Sequence, residues 1–298
     1  MSKNTEAISS KYRGLDTWET SEILSALWDG QMRATASVLP ALPSLSRSIE
    51  AATHHLQATK GRLIYVGAGS SGVISLLDSL ELGSTFNWPE DRMVVVLPGG
   101  TDLTNGLSDA VEDSGDVAVD RINALNVCEA DVVIGVSASG AVEFTLQALK
   151  RARSLGALTV GFANNSHSDM EAVAQYVVVA ETGAEVIAGS TRMGAGTAQK
   201  ILFNLFSTTL MTQLGAVHDN LMVNVRPANK KLQNRCVTMT AQIAEVSEQL
   251  AAEALAELGS VKRAVLGLAG VPAEQIDGRL HTAKGVLRHA LQSKASGT

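Results

Sequence analysis

Along the first sixty residues the apolar positions fall at helical intervals. Trp18 to Trp28 opens with helical spacing. Between Ala34 and Leu56 the residues Val38, Leu42, Leu45, Ile49 and Ala52 recur three and four apart, as the buried stripe of an amphipathic helix requires, with Pro40 and Pro43 interrupting its first turns. Ahead of them residues 1 to 15 carry no periodic apolar position, which predicts an arm ordered only by contact with something else. From Arg62 the texture changes to short apolar runs closed by small polar loops: LIYVGAGSSG, MVVVLPGG, DVVIGVSASG, LTVGFANN and YVVVAETG. Runs of this kind belong to strands buried on both faces of a parallel sheet. Helical patterns separate them, including Ser71 to Leu82 and Val142 to Leu155, the latter stopped by Gly156. The alternation predicts an α/β fold with a doubly wound, mainly parallel five-stranded sheet.

A long helix is predicted over 194 to 214, with Ile201, Leu202, Leu205, Phe206, Leu210 and Leu214 on a broad apolar face. After Pro227 the pattern stays helical, broken at Gly259, at Gly270-Val271-Pro272 and from His281 to Gly285, as expected of a small bundle. The organisation read from the chain is an arm with helices over 1–59, a sheet domain over 60–225 and a helical region over 226–298.

The chain has 298 residues of which 45% are hydrophobic, enough for a sizeable core. Its net charge of −6 argues against a nucleic-acid surface, so an anionic ligand has to be held locally. The two cysteines, Cys128 and Cys236, have neither disulfide-framework nor zinc spacing, and the histidines show no metal spacing; no metal site is expected. The opening lacks an apolar run and no run elsewhere reaches a membrane span, so a soluble, cytoplasmic protein with no membrane contact is expected.

Candidate chemistry sits where strand signals end. Gly67-Ala68-Gly69-Ser70-Ser71-Gly72 closes the first strand and enters a helix at once, offering a tight turn, free N–H groups and two hydroxyls to an anion. The glycine spacing also fits a dinucleotide site, but no acidic residue closes the second strand to hold a ribose, and NAD is discounted. Ser137-Ala138-Ser139-Gly140 repeats the serine–glycine pattern after the third strand signal. Gly189-Ser190-Thr191-Arg192 precedes the long helix, serving either as a ligand loop or as an ordinary cap, and Glu185 before it holds a sugar hydroxyl or lies exposed. Glu81, on or just after the first cradle helix, and Glu112, in an acidic loop with Asp109, Asp113 and Asp116, are candidates for proton transfer; a solvated acidic surface is the plain alternative.

Read together, GRLIYVGAGSSG, LLDSLEL, AVEDS, VVIGVSASG, RARSLGA, EVIAGSTR, AGTAQK, LFNLFST and GAVHDNLMVNV resemble the N-acetylmuramic acid 6-phosphate etherase family in order and spacing, over nearly the whole chain. The likeness includes the TEAIS opening and a tail in which SVKRAVL and GVPAEQI look like that family's small ubiquitin-associated-like bundle. The resemblance implies a sugar isomerase (SIS) core related to the glucokinase regulatory protein. It also implies cofactor-free cleavage of the lactyl ether of a phosphorylated amino sugar, giving N-acetylglucosamine 6-phosphate and D-lactate in cell-wall recycling. The family's two catalytic glutamates match Glu81 and Glu112, and its ligand loops match Gly69, Ser70, Ser71, Gly72, Ser137, Ser139, Gly140, Glu185, Ser190 and Thr191. A homodimer is expected as well, joined through the apolar helix after Gly196 and the N-terminal arm. Two other functions share the cradle: a non-catalytic phosphosugar sensor and an aldose–ketose phosphosugar isomerase. The chain departs from the family pattern at Val73 (arginine in the family), Leu82-Gly83-Ser84, Ala141-Val142-Glu143 (Arg-Thr-Pro) and Met193-Gly194 (Leu-Lys), so three cationic positions near the ligand loops are neutral or lost.

Overall fold

The computed structural model describes residues 4–104 and 113–292. The chain forms two compact units, Met1–Ser79 with Asp91–Ser207, and Leu80–Glu90 with Thr208–Thr298.

In the first unit five parallel strands stand in the order β2-β1-β3-β4-β5. They are β1 (Leu63–Gly67), β2 (Met93–Val96), β3 (Val132–Ser137), β4 (Leu158–Ala163) and β5 (Tyr176–Val179). Every residue of β1 and β3 is buried, whereas the edge strands β2 and β5 are only partly so. That gradient is why the central runs are continuously apolar rather than alternating. Helices α1 (Thr20–Ala36), α2 (Leu42–Ala58), α3 (Gly69–Phe86), α4 (Gly115–Ala124), α5 (Glu143–Ser154), α6 (Met170–Val173) and α7 (Gly194–Gln213) complete the α/β pattern. The doubly wound sheet expected from the apolar runs is present.

One local expectation is corrected and one is made specific. The pattern from Ala34 to Leu56 is not one interrupted helix: α1 runs to Ala36, a 3-10 turn spans Leu39–Ala41, and Pro43 sits in the first turn of α2. Proline is harmless there, because the first N–H groups of a helix have no partner within it. The N-terminal arm, second, is ordered by its own chain. Thr5 is fully buried, and Tyr12 is buried and accepts a hydrogen bond from Arg33 Nη2 at 2.8 Å.

Two polar clusters brace the sheet. At the strands' N-terminal end Arg62, preceding β1, grips Asp131, preceding β3, through Nη2–Oδ2 at 2.7 Å and Nε–Oδ1 at 3.0 Å. On the face covered by α3 and α7, Asp78 accepts from Tyr65 Oη at 2.9 Å and from Ser207 Oγ at 3.0 Å. Burial first, and the Asp78 carboxylate second, push the Tyr65 phenol well above its ordinary value. Much of the apolar side of α7 is used within the chain: Leu202, Phe203, Phe206 and Leu210 are fully buried, with Phe203 and Phe206 against Phe162. Leu205 is 38% exposed, and Ile201 and Leu214 are half-buried, so the stripe read from the periodicity is only partly covered.

The second unit is helical, with α8 (Lys230–Ala244), α9 (Glu248–Leu258), α10 (Val261–Leu268), α11 (Ala273–Thr282) and α12 (Leu287–Gln292). Asn229, Ser247 and Ser260 cap α8, α9 and α10 with side-chain oxygens, so short polar residues break the bundle into pieces at the right places. Val265, Leu266, Ile276, Leu287 and Ala290 form its core. No described helix is long and apolar enough to cross a membrane.

Candidate active site

The strand order fixes where a ligand can sit. From β1 the chain moves out to β2 on one side, while β3 leads to β4 and β5 on the other, so the helices diverge between β1 and β3 and leave a crevice at their C-terminal ends. Gly67 pairs with Val136, which brings the loop after β1 and the loop after β3 out of the sheet side by side. These are the two serine–glycine loops.

In the first loop strand and helix touch backbone to backbone. A β-carbon on Gly67 would lie 2.9 Å from the Gly72 Cα, and one on Gly72 would lie 2.9 Å from the Gly67 carbonyl oxygen. The helix starts at Gly69 rather than after Gly72, so Ser70 and Ser71 stand half-buried on its first turn. The Gly72 N–H is already bonded to Ala68 O at 3.0 Å, so the helix-start donors for an anion come from Gly69, Ser70 and Ser71.

The second loop organises itself. Ser137 Oγ accepts from Gly140 N at 3.1 Å and Ser139 Oγ accepts from Ala141 N at 3.3 Å; the two hydroxyls also share a 3.4 Å hydrogen bond, so one hydrogen is spent between them and the other is left to be donated elsewhere. Ser137 is buried and Ser139 half-buried, so Ser139 is the outward hydroxyl and Ser137 its support. Gly140 has φ +67°, and a β-carbon there would meet Ser168 Oγ at 2.4 Å; only glycine fits. At the apex, Ala138 O accepts from Asn164 N at 3.0 Å and from Asn165 Nδ2 at 2.9 Å. Asn164 Oδ1 in turn accepts from Gln199 Nε2 at 2.8 Å. Gln199 Oε1 and Ser168 Oγ are buried without a partner among the described residues.

Glu185 does not lie exposed. It is 5% accessible, and its two oxygens accept from Gly194 N and Ala195 N, each at 2.9 Å. A carboxylate thus caps α7, favourably placed at the positive end of the helix dipole. The cap is made by Glu185, not by the Ser190 and Thr191 hydroxyls, both of which stand half-buried at this end. A β-carbon at Gly194 would come within 3.0 Å of Glu185 Oε2, a tight contact that the absence of a side chain relieves.

Of the two glutamates, Glu81 is on α3 and exposed, and it falls in the second compact unit. Glu112 lies outside the described residues. The sequence reading missed Thr5, Asn164, Asn165 and Gln199. The available signal was the pair of asparagines closing the FANN run, where an apolar strand ends in two amides.

Residues 103–208 match the SIS domain family. The N-acetylmuramic acid 6-phosphate etherase of Deinococcus radiodurans is 39% identical over 99% of this chain and 98% of its own length. That of Symbiobacterium thermophilum is 40% identical over 86% of each chain. Among solved structures, a protein of Escherichia coli CFT073 superposes with a TM-score of 0.51 at 18% identity, covering 68% of this chain and 97% of that one, a likeness of fold. Full-length similarity on this scale is decisive, and the chain belongs to the N-acetylmuramic acid 6-phosphate etherase family.

Proposed function

We propose that this protein cleaves the lactyl ether of N-acetylmuramic acid 6-phosphate, a carbon–oxygen lyase reaction giving N-acetylglucosamine 6-phosphate and D-lactate in the recycling of cell-wall amino sugar. The observation that carries the reading is the pairing of the two serine loops at the β1–β3 crevice in a chain of this family. In the open-chain sugar the aldehyde acidifies the hydrogen on carbon 2, and the lactate oxygen on carbon 3 is a β leaving group. A carboxylate removes the carbon 2 proton, the carbon 3–oxygen bond breaks, and a carboxylic acid protonates the departing lactate. Water then adds across the alkene, with its oxygen at carbon 3 and a proton returned to carbon 2. The reading gives these proton transfers to Glu81 and Glu112. The aldehyde supplies the acidity, so the chemistry calls on neither metal nor cofactor. Release of D-lactate from N-acetylmuramic acid 6-phosphate, followed with a lactate-specific assay, tests the reading; a protein that binds the sugar phosphate but releases no lactate sinks it.

The phosphate is assigned to neutral donors, since Val73, Ala141 and Gly194 carry no charge. The half-buried Ser71 and Ser139 hydroxyls and the first N–H groups of α3 are the groups offered. Replacing Ser71 and Ser139 together by alanine is expected to weaken binding of a 6-phosphorylated sugar by about 1–3 kcal/mol, roughly ten- to hundredfold, with little change for the unphosphorylated sugar. Calorimetry with both sugars checks this, and an equal loss for both would remove the phosphate assignment.

A homodimer in the cytoplasm completes the reading, with an exposed apolar stripe on α1 as its surface. Leu24, Trp28 and Met32 recur every four residues and are 61%, 65% and 51% exposed. Sedimentation at micromolar concentration is expected to show two chains, and Trp28→Lys to yield one; a monomeric wild type refutes the assignment.

A further inference from the structure

The best-connected residue near the crevice is one that the proposed chemistry does not use. Asn165 follows β4, is 4% exposed and has both amide hydrogens spent: Nδ2 donates to Ala138 O at 2.9 Å, at the apex of the Ser137–Gly140 loop, and to Thr5 Oγ1 at 2.8 Å. Its Oδ1 accepts from Thr5 N at 3.2 Å. Thr5, 160 residues away in sequence, is fully buried although it belongs to a short polar arm close to the chain start. Immediately after it, Glu6 reaches the other ligand loop: a β-carbon on Gly189 would stand 3.2 Å from Glu6 Oε2. The arm is therefore linked through Asn165 to the loop that offers Ser139, and its Glu6 lies beside the loop that offers Ser190 and Thr191.

A buried, reciprocal pair of hydrogen bonds between an arm and a loop-bracing amide is costly to break halfway, because each lost partner leaves a desolvated polar group. The apolar anchor of the arm is Tyr12, packed with Ala26 and Val186, whereas residues 4–8 secure little apolar surface: Ile8, the large apolar residue among them, is 87% exposed. Docking of the arm and the shape of the serine loop are thus two ends of one connection, Thr5 to Asn165 to Ala138.

We propose that Thr5 and Asn165 are positioning residues: the arm over residues 4–8 is a strap whose docking holds the Ser137–Gly140 loop in its ligand-binding form, so that strap docking and phosphosugar binding favour each other. The inference rests on the phosphosugar reading given above. By reciprocity, a ligand that binds better when the strap is docked must tighten the strap.

The test uses the full-length protein with N-acetylglucosamine 6-phosphate as probe and three versions of the chain: wild type, Thr5→Val, which keeps the shape but removes the hydroxyl, and Thr5→Ser, which restores it. In the wild type, amide exchange over residues 4–8 is expected to slow on adding the sugar phosphate. Thr5→Val is expected to bind it about tenfold more weakly, the scale of one coupled hydrogen bond, and to raise KM for lactate release with kcat within about twofold. Its thermal midpoint is expected to stay within a few degrees of wild type, and Thr5→Ser to recover the affinity. A merely structural threonine would lower the midpoint and leave the affinity of the folded protein unchanged. That result, or exchange at residues 4–8 that ignores the ligand in the wild type, overturns the proposal while the phosphosugar reading stands. Failure of the wild type to bind the sugar phosphate at all overturns both.

Discussion

Glu81→Gln and Glu112→Gln are each expected to slow lactate release by about 10²- to 10⁴-fold, the usual worth of a positioned acid or base, while phosphosugar affinity stays within a few-fold. Glutamine keeps the size and polarity of the side chain, so contacts made equally with substrate and transition state survive. It can neither take the carbon 2 proton nor deliver one to the departing ether oxygen. The loss therefore falls on kcat and kcat/KM together rather than on KM. Single-turnover kinetics measures the chemical step and calorimetry the binding. The two variants also separate the two carboxyl groups: loss of the base is expected to abolish exchange of the carbon 2 hydrogen with solvent, whereas loss of the acid leaves that exchange running without release of lactate. Near-wild-type turnover in either variant reduces that glutamate to a surface carboxylate.

What could be read before folding depended on how far apart the cooperating residues are. The buried strands β1 and β3 announce themselves because all their side chains are buried, and the serine loops because glycine and serine fall at the strand ends. Both signals are local. Glu185 is different: its partners are Gly194 N and Ala195 N, nine and ten residues on, and nothing in the intervening letters says that the chain doubles back to present them. The Thr5–Asn165 pair spans 160 residues and links a polar arm to a strand end through hydrogen bonds that leave no periodicity behind. The arm's polarity pointed to order gained only by contact with something else, and that contact includes an amide of the same chain. The apolar stripe of α7 likewise does not say in advance that Phe162 from β4 packs against part of it. Periodicity reports that a face is buried and is silent on what buries it.

Asp131→Ala is expected to lower the stability of the sheet unit by about 3 kcal/mol, with no loss of phosphosugar affinity in the protein that remains folded. The Asp131 side chain is 2% exposed, and besides the two-point grip of Arg62 it accepts from Arg62 N at 2.9 Å and Cys128 N at 3.1 Å. Truncation thus leaves a 24%-exposed guanidinium without its counter-charge and two backbone donors without acceptors, which is why the cost exceeds that of a surface pair. The location protects the site: Arg62 and Asp131 precede β1 and β3, whereas the serine loops follow them, a strand length or roughly 17 Å away. Burial alone would raise the Asp131 carboxyl, but the Arg62 guanidinium and the backbone N–H groups outweigh it and hold the group below its ordinary 3.8. A carboxyl depressed by folding stabilises above its unfolded value and loses that contribution as pH falls through the folded one. The gap in unfolding midpoint between wild type and Asp131→Ala is therefore expected to be full from neutral pH down to about pH 4–5 and to close at lower pH. Thermal melts of both proteins across that range, with calorimetry of the sugar phosphate at pH 7, measure the gap and the affinity. A gap that persists unchanged at pH 2 would mean that Asp131 stabilises by packing alone, and a loss of affinity at pH 7 would mean that this end of the sheet communicates with the crevice.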